Sequence, residues 1–151
     1  MNPLAIYKKI PQIPMKNQIF MKLLCQKAPY FGSISPVLLK YNEGECLIKI
    51  RKRRKILNHI GTVHAIAMCN AAELTAGLTI DSCLPKNLRW IPKKMQVEYL
   101  KKAETDLLAS CQVKAEQFQI GDNMINVELT NDRDEIVFCA KITMYVSEKK
   151  S

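Results

Sequence analysis

Glu73 lies in the middle of an apolar run, residues 63–80, in which almost every side of a helix would be hydrophobic. Burying a carboxylate is costly unless it is paired or protonated, so Glu73 is either satisfied by a partner or placed for chemistry. Two polar residues precede it, His64 nine positions earlier and Asn58 six before that. Both have ordinary uses as well: a histidine in apolar surroundings is commonly a hydrogen-bonded core residue, and an asparagine at this point can cap the entry into a helix. His59 has no such companions and reads as structural. Cys69 lies within the run, but no activating base is signalled, so it is not read as a nucleophile. The six cysteines are spread along the chain without a CxxC spacing and read as small buried hydrophobes kept reduced, with no metal site expected.

The elements that position these residues follow from periodicity. Ala65, Ala67, Ala71, Ala72, Ala76 and Gly77 are small, so the backbone of this helix can lie close against a curved sheet that wraps it. Residues 2–9 form a short helix, stopped by Pro11 and Pro14, and residues 16–26 form a second, amphipathic one. Residues 29–36 are rich in breakers; a short apolar piece, 37–41, and a turn at 42–44 lead to a first long strand over 45–57. After the central helix, residues 81–92 are a connection. Four alternating strands follow, at 95–103, 107–118, around 125–129 and 136–144, with polar turns between them. Each presents one apolar face, and the single buried helix is the element available to cover it. The expected class is α+β: a hotdog fold, in which a curved antiparallel sheet wraps one long buried helix, with extra N-terminal helices. Residues 1–35 are expected as a helical extension packed on the domain, and residues 36–148 as the hotdog domain itself.

The chain of 151 residues is one domain in size, and its formal charge of +9 invites a nucleic-acid reading. Much of that charge is concentrated in Arg51, Lys52, Arg53, Arg54 and Lys55, which the alternation places on the first long strand as a solvated face. A site for the phosphates of an anionic cofactor or carrier is the second reading of this run. Nucleic acid comes last, because no aromatic residue falls between Tyr41 and Trp90 to stack on bases. Lysines interrupt the N-terminal region too often for a membrane span or a secretory signal, so a cytoplasmic protein without a membrane role is expected.

Asn58, His64 and Glu73, at separations of six and nine, resemble a motif of the acyl-CoA thioesterases of the hotdog fold, in the phenylacetyl-CoA thioesterase-like branch. The likeness covers residues 45–146, and the run Arg89-Trp90-Ile91-Pro92-Lys93 is similar to one in an uncharacterised group of that fold. The resemblance implies thioester hydrolysis. Glu73 would serve as general base on a water or attack the carbonyl itself, and backbone amides at the helix start, that of Ala65 in particular, would form an oxyanion hole. Asn58 would hold the water or orient a partner, and His64 would position the carbonyl or donate to the leaving sulfur. Lys93 and Lys94 would bind the phosphates of coenzyme A. No cofactor is implied beyond the coenzyme A thioester that is the substrate, and an acyl-carrier thioester is the other candidate partner.

The helix adds a constraint, since nine residues are about 13 Å of rise and half a turn of rotation. His64 and Glu73 cannot meet within one chain, and a shared site requires a homodimer, or a tetramer made of two. Two departures from the motif bear on activity. Ala65 and Ile66 stand where the branch has two glycines, and the Ser or Thr that some members place on the strand after the helix has no match. They motivate an alternative, a non-catalytic acyl-CoA or acyl-carrier binding protein of the same fold. A dehydratase of this fold is a third candidate, disfavoured because such enzymes space their acid and histidine more widely.

Overall fold

The structure is a computed structural model and describes residues 2–149. Three helices open the chain: α1 (Pro3–Lys9), α2 (Lys16–Lys27) and the single turn α3 (Pro29–Gly32). Asn2 caps α1, its Oδ1 accepting from the amides of Leu4 and Ala5 at 2.8 and 3.2 Å, and Pro3 occupies the first helical position. The strands are β1 (Val37–Asn42), β2 (Glu45–Ile50), β3 (Leu88–Tyr99), β4 (Leu107–Gln112), β5 (Gly121–Thr130) and β6 (Ile136–Glu148), with α4 (Ala65–Cys83) between β2 and β3. Among the described residues no helix is long and apolar enough to cross a membrane.

All six strands belong to one antiparallel sheet, in the order β1-β2-β4-β5-β6-β3. Its apolar face closes over α4: Ile48, Ile50, Leu107, Ala109, Leu129, Ile142 and Met144 are essentially inaccessible, and so are Ala71, Ala72 and Ala76 on the helix. The alternation of the strands and the small residues of α4 are thus two halves of one packing solution. The N-terminal helices lie on the far side of α4 and are tied to the sheet edge by polar links. Tyr7 donates to Asn17 Oδ1 at 2.8 Å, and Asn17 Nδ2 donates to the carbonyl of Leu38 at 2.9 Å. Tyr7, Phe20 and Tyr41 form an aromatic cluster at this junction.

The structure corrects three boundaries. The first long strand, β2, ends at Ile50 rather than at residue 57; the apolar piece before it is β1, and the two pair as a hairpin turned at Gly44, whose φ of 72° suits glycine and where a Cβ would clash with the carbonyl oxygen of Val113. The basic run therefore lies beyond the sheet, not on a strand. After Ile50 the amide of Lys52 bonds to Asp106 Oδ1 at 2.8 Å, Arg53 reaches the Ser33 carbonyl at 2.7 Å, and Arg54–Ile56 form a 3-10 turn. The connection after α4 is also shorter than expected. Leu84, extended before Pro85, ends the helix, and β3 already begins at Leu88, taking Pro92 at a bulge on its free edge. Finally, β4 stops at Gln112, because residues 115–117 turn in a second 3-10 segment.

Candidate active site

The loop before α4 is built around Asn58. Its Oδ1 accepts from the amides of Ile60 and Thr62, each at 3.1 Å, and its Nδ2 donates to Thr62 Oγ1 at 2.8 Å. The backbone closes the same turn, Asn58 N–H to Thr62 carbonyl at 2.9 Å, and Leu57 bridges Val63. Asn58 therefore does not cap the helix. That position belongs to His64, whose Nδ1 accepts from the amide of Ile66 at 3.1 Å while its backbone amide donates to the carbonyl of Ile56 at 2.8 Å. A ring that accepts at Nδ1 carries its proton on Nε2 in the neutral form, which leaves an N–H donor on an exposed side chain.

The first turn of α4 spends most of its amides on this cap. Ile66 donates to the His64 ring, and Ala67 and Met68 donate to the His64 carbonyl at 2.9 and 3.2 Å. The amide of Ala65 has no partner among the described residues. It is an unpaired donor at the positive end of a 19-residue helix, the type of group that stabilises a developing oxyanion.

Glu73 is half-buried rather than enclosed, and this corrects the expectation of a helix covered on every side. Ile66, Cys69 and Glu73 form a partly uncovered stripe of α4 at helical spacing, with Ile66 54% exposed. The Glu73 side chain has no hydrogen-bond or ion-pair partner among the described residues. It lines a cavity of about 360 Å³ whose other walls include Phe20, Leu24, Leu74, Leu78 and Trp90. His64 lines a different, smaller cavity of about 180 Å³, with Tyr30, Ser33, Lys55, Ile66 and Asn70. The structure thus brings Asn58, His64 and Ala65 together at the helix start and places Glu73 apart from them, along the same helix.

Lys93 and Lys94 lie on β3, exposed. Lys93 reaches the solvent face of the sheet, where Asp122 holds it at 2.7 and 3.0 Å beside the Tyr145 ring. Asn70 faces the His64 cavity, donating to the Tyr30 carbonyl and to Ser33 Oγ, while its own Oδ1 is buried without a partner. Asp81 and Trp90 join at the far end of the Glu73 cavity, the indole Nε1 donating to Asp81 Oδ1 at 2.8 Å, and burial pushes the Asp81 carboxyl above its ordinary value. Spacing gives a signal for Asp81, two i+4 steps from Glu73 along α4, but only the fold reveals Trp90 beside it.

β3, one of the two edge strands of the sheet, runs alongside α4. Trp90 packs on Gly77 near one end, and the Tyr99 hydroxyl lies 3.6 Å from Cys69 Sγ at the other. The uncovered stripe of the helix is therefore bordered by an unpaired strand edge.

The family model described as a domain of unknown function (DUF4442) matches residues 16–146, and the chain belongs to that family. The genomics protein APC5556 has a crystal structure 42% identical in sequence, with a TM-score of 0.84 over 97% of each chain. PA5026 from Pseudomonas aeruginosa, described as a protein of unknown function and probable thioesterase, is 17% identical with a TM-score of 0.80, over 92% of this chain and 100% of its own. Smu.793 from Streptococcus mutans, solved bound to acetyl CoA, is 20% identical with a TM-score of 0.65, over 77% of this chain and 91% of its own. No curated protein matches the sequence. The six-stranded sheet with its long helix and N-terminal helices is the hotdog fold, shared with these neighbours.

Proposed function

We propose that two copies of this chain form an acyl-CoA thioesterase, each site combining Glu73 of one protomer with the α4 start of the other. The observation that carries this reading is the division of the site. An unpartnered carboxylate opens on an apolar cavity, and the unpaired Ala65 amide with the exposed His64 ring stands nine residues, or about 13 Å, back along the same helix. Two antiparallel helices supply each half with its complement. The 12-residue edge of β3 offers the means, since its free backbone groups are a template for pairing with a second copy.

In such a site Glu73 takes a proton from water, and the hydroxide oxygen bonds to the thioester carbonyl carbon. The carbonyl oxygen becomes negative and is held by the Ala65 amide of the partner subunit. Collapse breaks the C–S bond, and the proton on Glu73 passes to the sulfur, directly or through the Nε2–H of the partner subunit's His64, giving a carboxylic acid and free thiol. Asn58 acts one step back, by fixing the loop that presents His64. Coenzyme A enters as part of the substrate, a reading supported by the neighbour solved bound to acetyl CoA, and the chemistry calls for no other cofactor. Its phosphates are assigned to Lys94 and Lys93. The ion pair of Lys93 with Asp122 is exposed on both sides and so is readily exchanged.

Ile66, in place of a small residue beside the Ala65 amide, favours a second reading, a protein that binds acyl-CoA without turning it over. Thiol release from short, long and aromatic acyl-CoAs, wild type beside Glu73→Gln, separates the two. The first reading expects a loss of about 10²- to 10⁴-fold in the variant, the usual contribution of a general base. Stabilisation by acyl-CoA with no thiol released from any member of the panel establishes the second.

A further inference from the structure

The cavity beside Glu73 has a predominantly apolar lining, and the N-terminal helices help to form it. α4 supplies one wall, Leu74, Gly77 and Leu78, and α2 the opposite one, Phe20 and Leu24, with Ala28 just beyond the helix. Glu73 is near one end and the Asp81–Trp90 pair closes the other. Apart from Glu73, Asp81 and Lys27 at its margins, the side chains around it are hydrocarbon or aromatic. Its volume, about 360 Å³, lies at the small end of the range for ligand sites.

We propose that this cavity seats the acyl chain of the substrate, with the thioester at Glu73 and the chain end on the indole of Trp90. The N-terminal helices are then the element that selects chain length. From Glu73 to Asp81 the helix rises eight residues, about 12 Å. With C–C bonds of about 1.5 Å foreshortened by the tetrahedral zigzag, an extended chain of about ten carbons covers that distance. The occupant is therefore a medium-length acyl group: a short chain leaves the far half empty, and a long one meets Trp90. Gly77 contributes by lacking a side chain, which lets the indole lie at van der Waals limit on the helix and set the floor of the cavity.

This assignment rests on the thioesterase reading for its kinetic test, and on binding alone for its second. In the kinetic test, kcat/KM for straight-chain acyl-CoAs is measured from four to sixteen carbons. Wild type is expected to gain about fourfold per added methylene, as burial of each CH₂ predicts, and to level off near ten carbons. Ala28→Phe narrows the cavity and is expected to move that plateau several carbons shorter. For binding, Trp90 is the single tryptophan of the chain, so its emission reports the cavity floor directly. Decanoate is expected to shift it saturably, butyrate is not, and Ala28→Phe should weaken the decanoate response at least tenfold. Turnover that is indifferent to chain length, or a variant that slows every chain equally, overturns the cavity assignment and leaves the thioesterase standing. A saturable decanoate shift lost in Ala28→Phe, with no thiol released from any acyl-CoA, supports the cavity and removes the thioesterase. Absence of any Trp90 response to decanoate and decanoyl-CoA alike overturns the assignment.

Discussion

Gly77→Ala sets two effects of similar size against each other. In a helix interior alanine is favoured over glycine by about 1 kcal/mol, and Gly77 lies well inside α4, so propensity alone predicts a more stable protein. The added Cβ, however, would stand 3.0 Å from Trp90 Cη2 and 3.1 Å from Cζ2. Comfortable carbon contacts begin near 3.5 Å, so the indole tip must withdraw by about half an ångström. It is poorly placed to do so. Its Nε1 is bonded to Asp81 at 2.8 Å, and its backbone pairs with Val146 in the sheet. Overpacking of this kind costs about 1 to 3 kcal/mol, which outweighs the helix gain and leaves a net loss of about 1 kcal/mol. For a domain of this size that lowers Tm by about 2 to 4 °C. Urea and thermal unfolding of Gly77→Ala measure the loss. The same change in a Trp90→Leu background, where the ring is gone, is expected to be stabilising by about 1 kcal/mol. A single variant as stable as wild type, or a pair of variants that behave additively, refutes the claim that Gly77 is kept small by Trp90.

Asp81→Asn keeps an oxygen acceptor for the Trp90 indole and removes the titration. Because burial raises the Asp81 carboxyl in the folded state, the native protein holds its proton more tightly than the unfolded chain. The group's contribution to stability is therefore full at pH below the unfolded carboxylate value, about 3.9, and is lost as pH rises through the raised folded value. The variant should be more stable than wild type at pH 7 and lose that advantage near pH 3, as melting curves across the range would show. Asn58→Ala removes three side-chain hydrogen bonds from the 58–62 turn and is expected to cost about 1 to 3 kcal/mol in urea unfolding, with a lower kcat/KM because the loop presents His64. His64→Asn retains a capping side chain where His64→Ala does not. The alanine variant should lose about 0.5 to 2 kcal/mol of stability and the asparagine variant little of it, with thiol release reduced in both. Full turnover in His64→Asn would confine His64 to its capping role.

Much of the architecture is legible because its causes are local and periodic. Alternation at Leu107, Ala109 and Cys111, and at Phe138, Ala140, Ile142 and Met144, marks strands whose facing residues are now seen buried, and the alanines of residues 65–76 mark the helix they wrap. Boundaries are less legible where tertiary bonds decide them. The alternation of residues 45–57 continues past Ile50, but the bond from the Lys52 amide to Asp106, 54 residues away in sequence, draws the chain off the sheet. Sequence periodicity carries no trace of such a partner. The capping of α4 is a similar case: Asn58 is the better capping residue by type, and His64 holds the position because Asn58 is consumed by its own turn.

The uncovered stripe on α4 shows why the site is the hardest part to read. By composition, residues 63–80 belong to a helix buried on every side, yet Ile66 is more than half exposed and Glu73 is half-buried in the single chain. A sequence selected to be buried does not record whether its own chain or a second copy covers it. An exposed isoleucine two positions past the helix cap, next to an unpaired carboxylate stripe and a free strand edge, is costly on a lone protomer and economical at a two-fold interface. The same inference bears on catalysis. If the partner covers Ile66, that side chain excludes water from the Ala65 amide and strengthens the amide's pull on an oxyanion, whereas on an open surface it would only obstruct approach. Ile66→Gly therefore has opposite expectations in the two cases: a weaker dimer with slower turnover if Ile66 is covered, and faster turnover with unchanged assembly if it is not. Sedimentation velocity beside thiol release decides between them, and the first outcome is the one the proposed two-chain site expects.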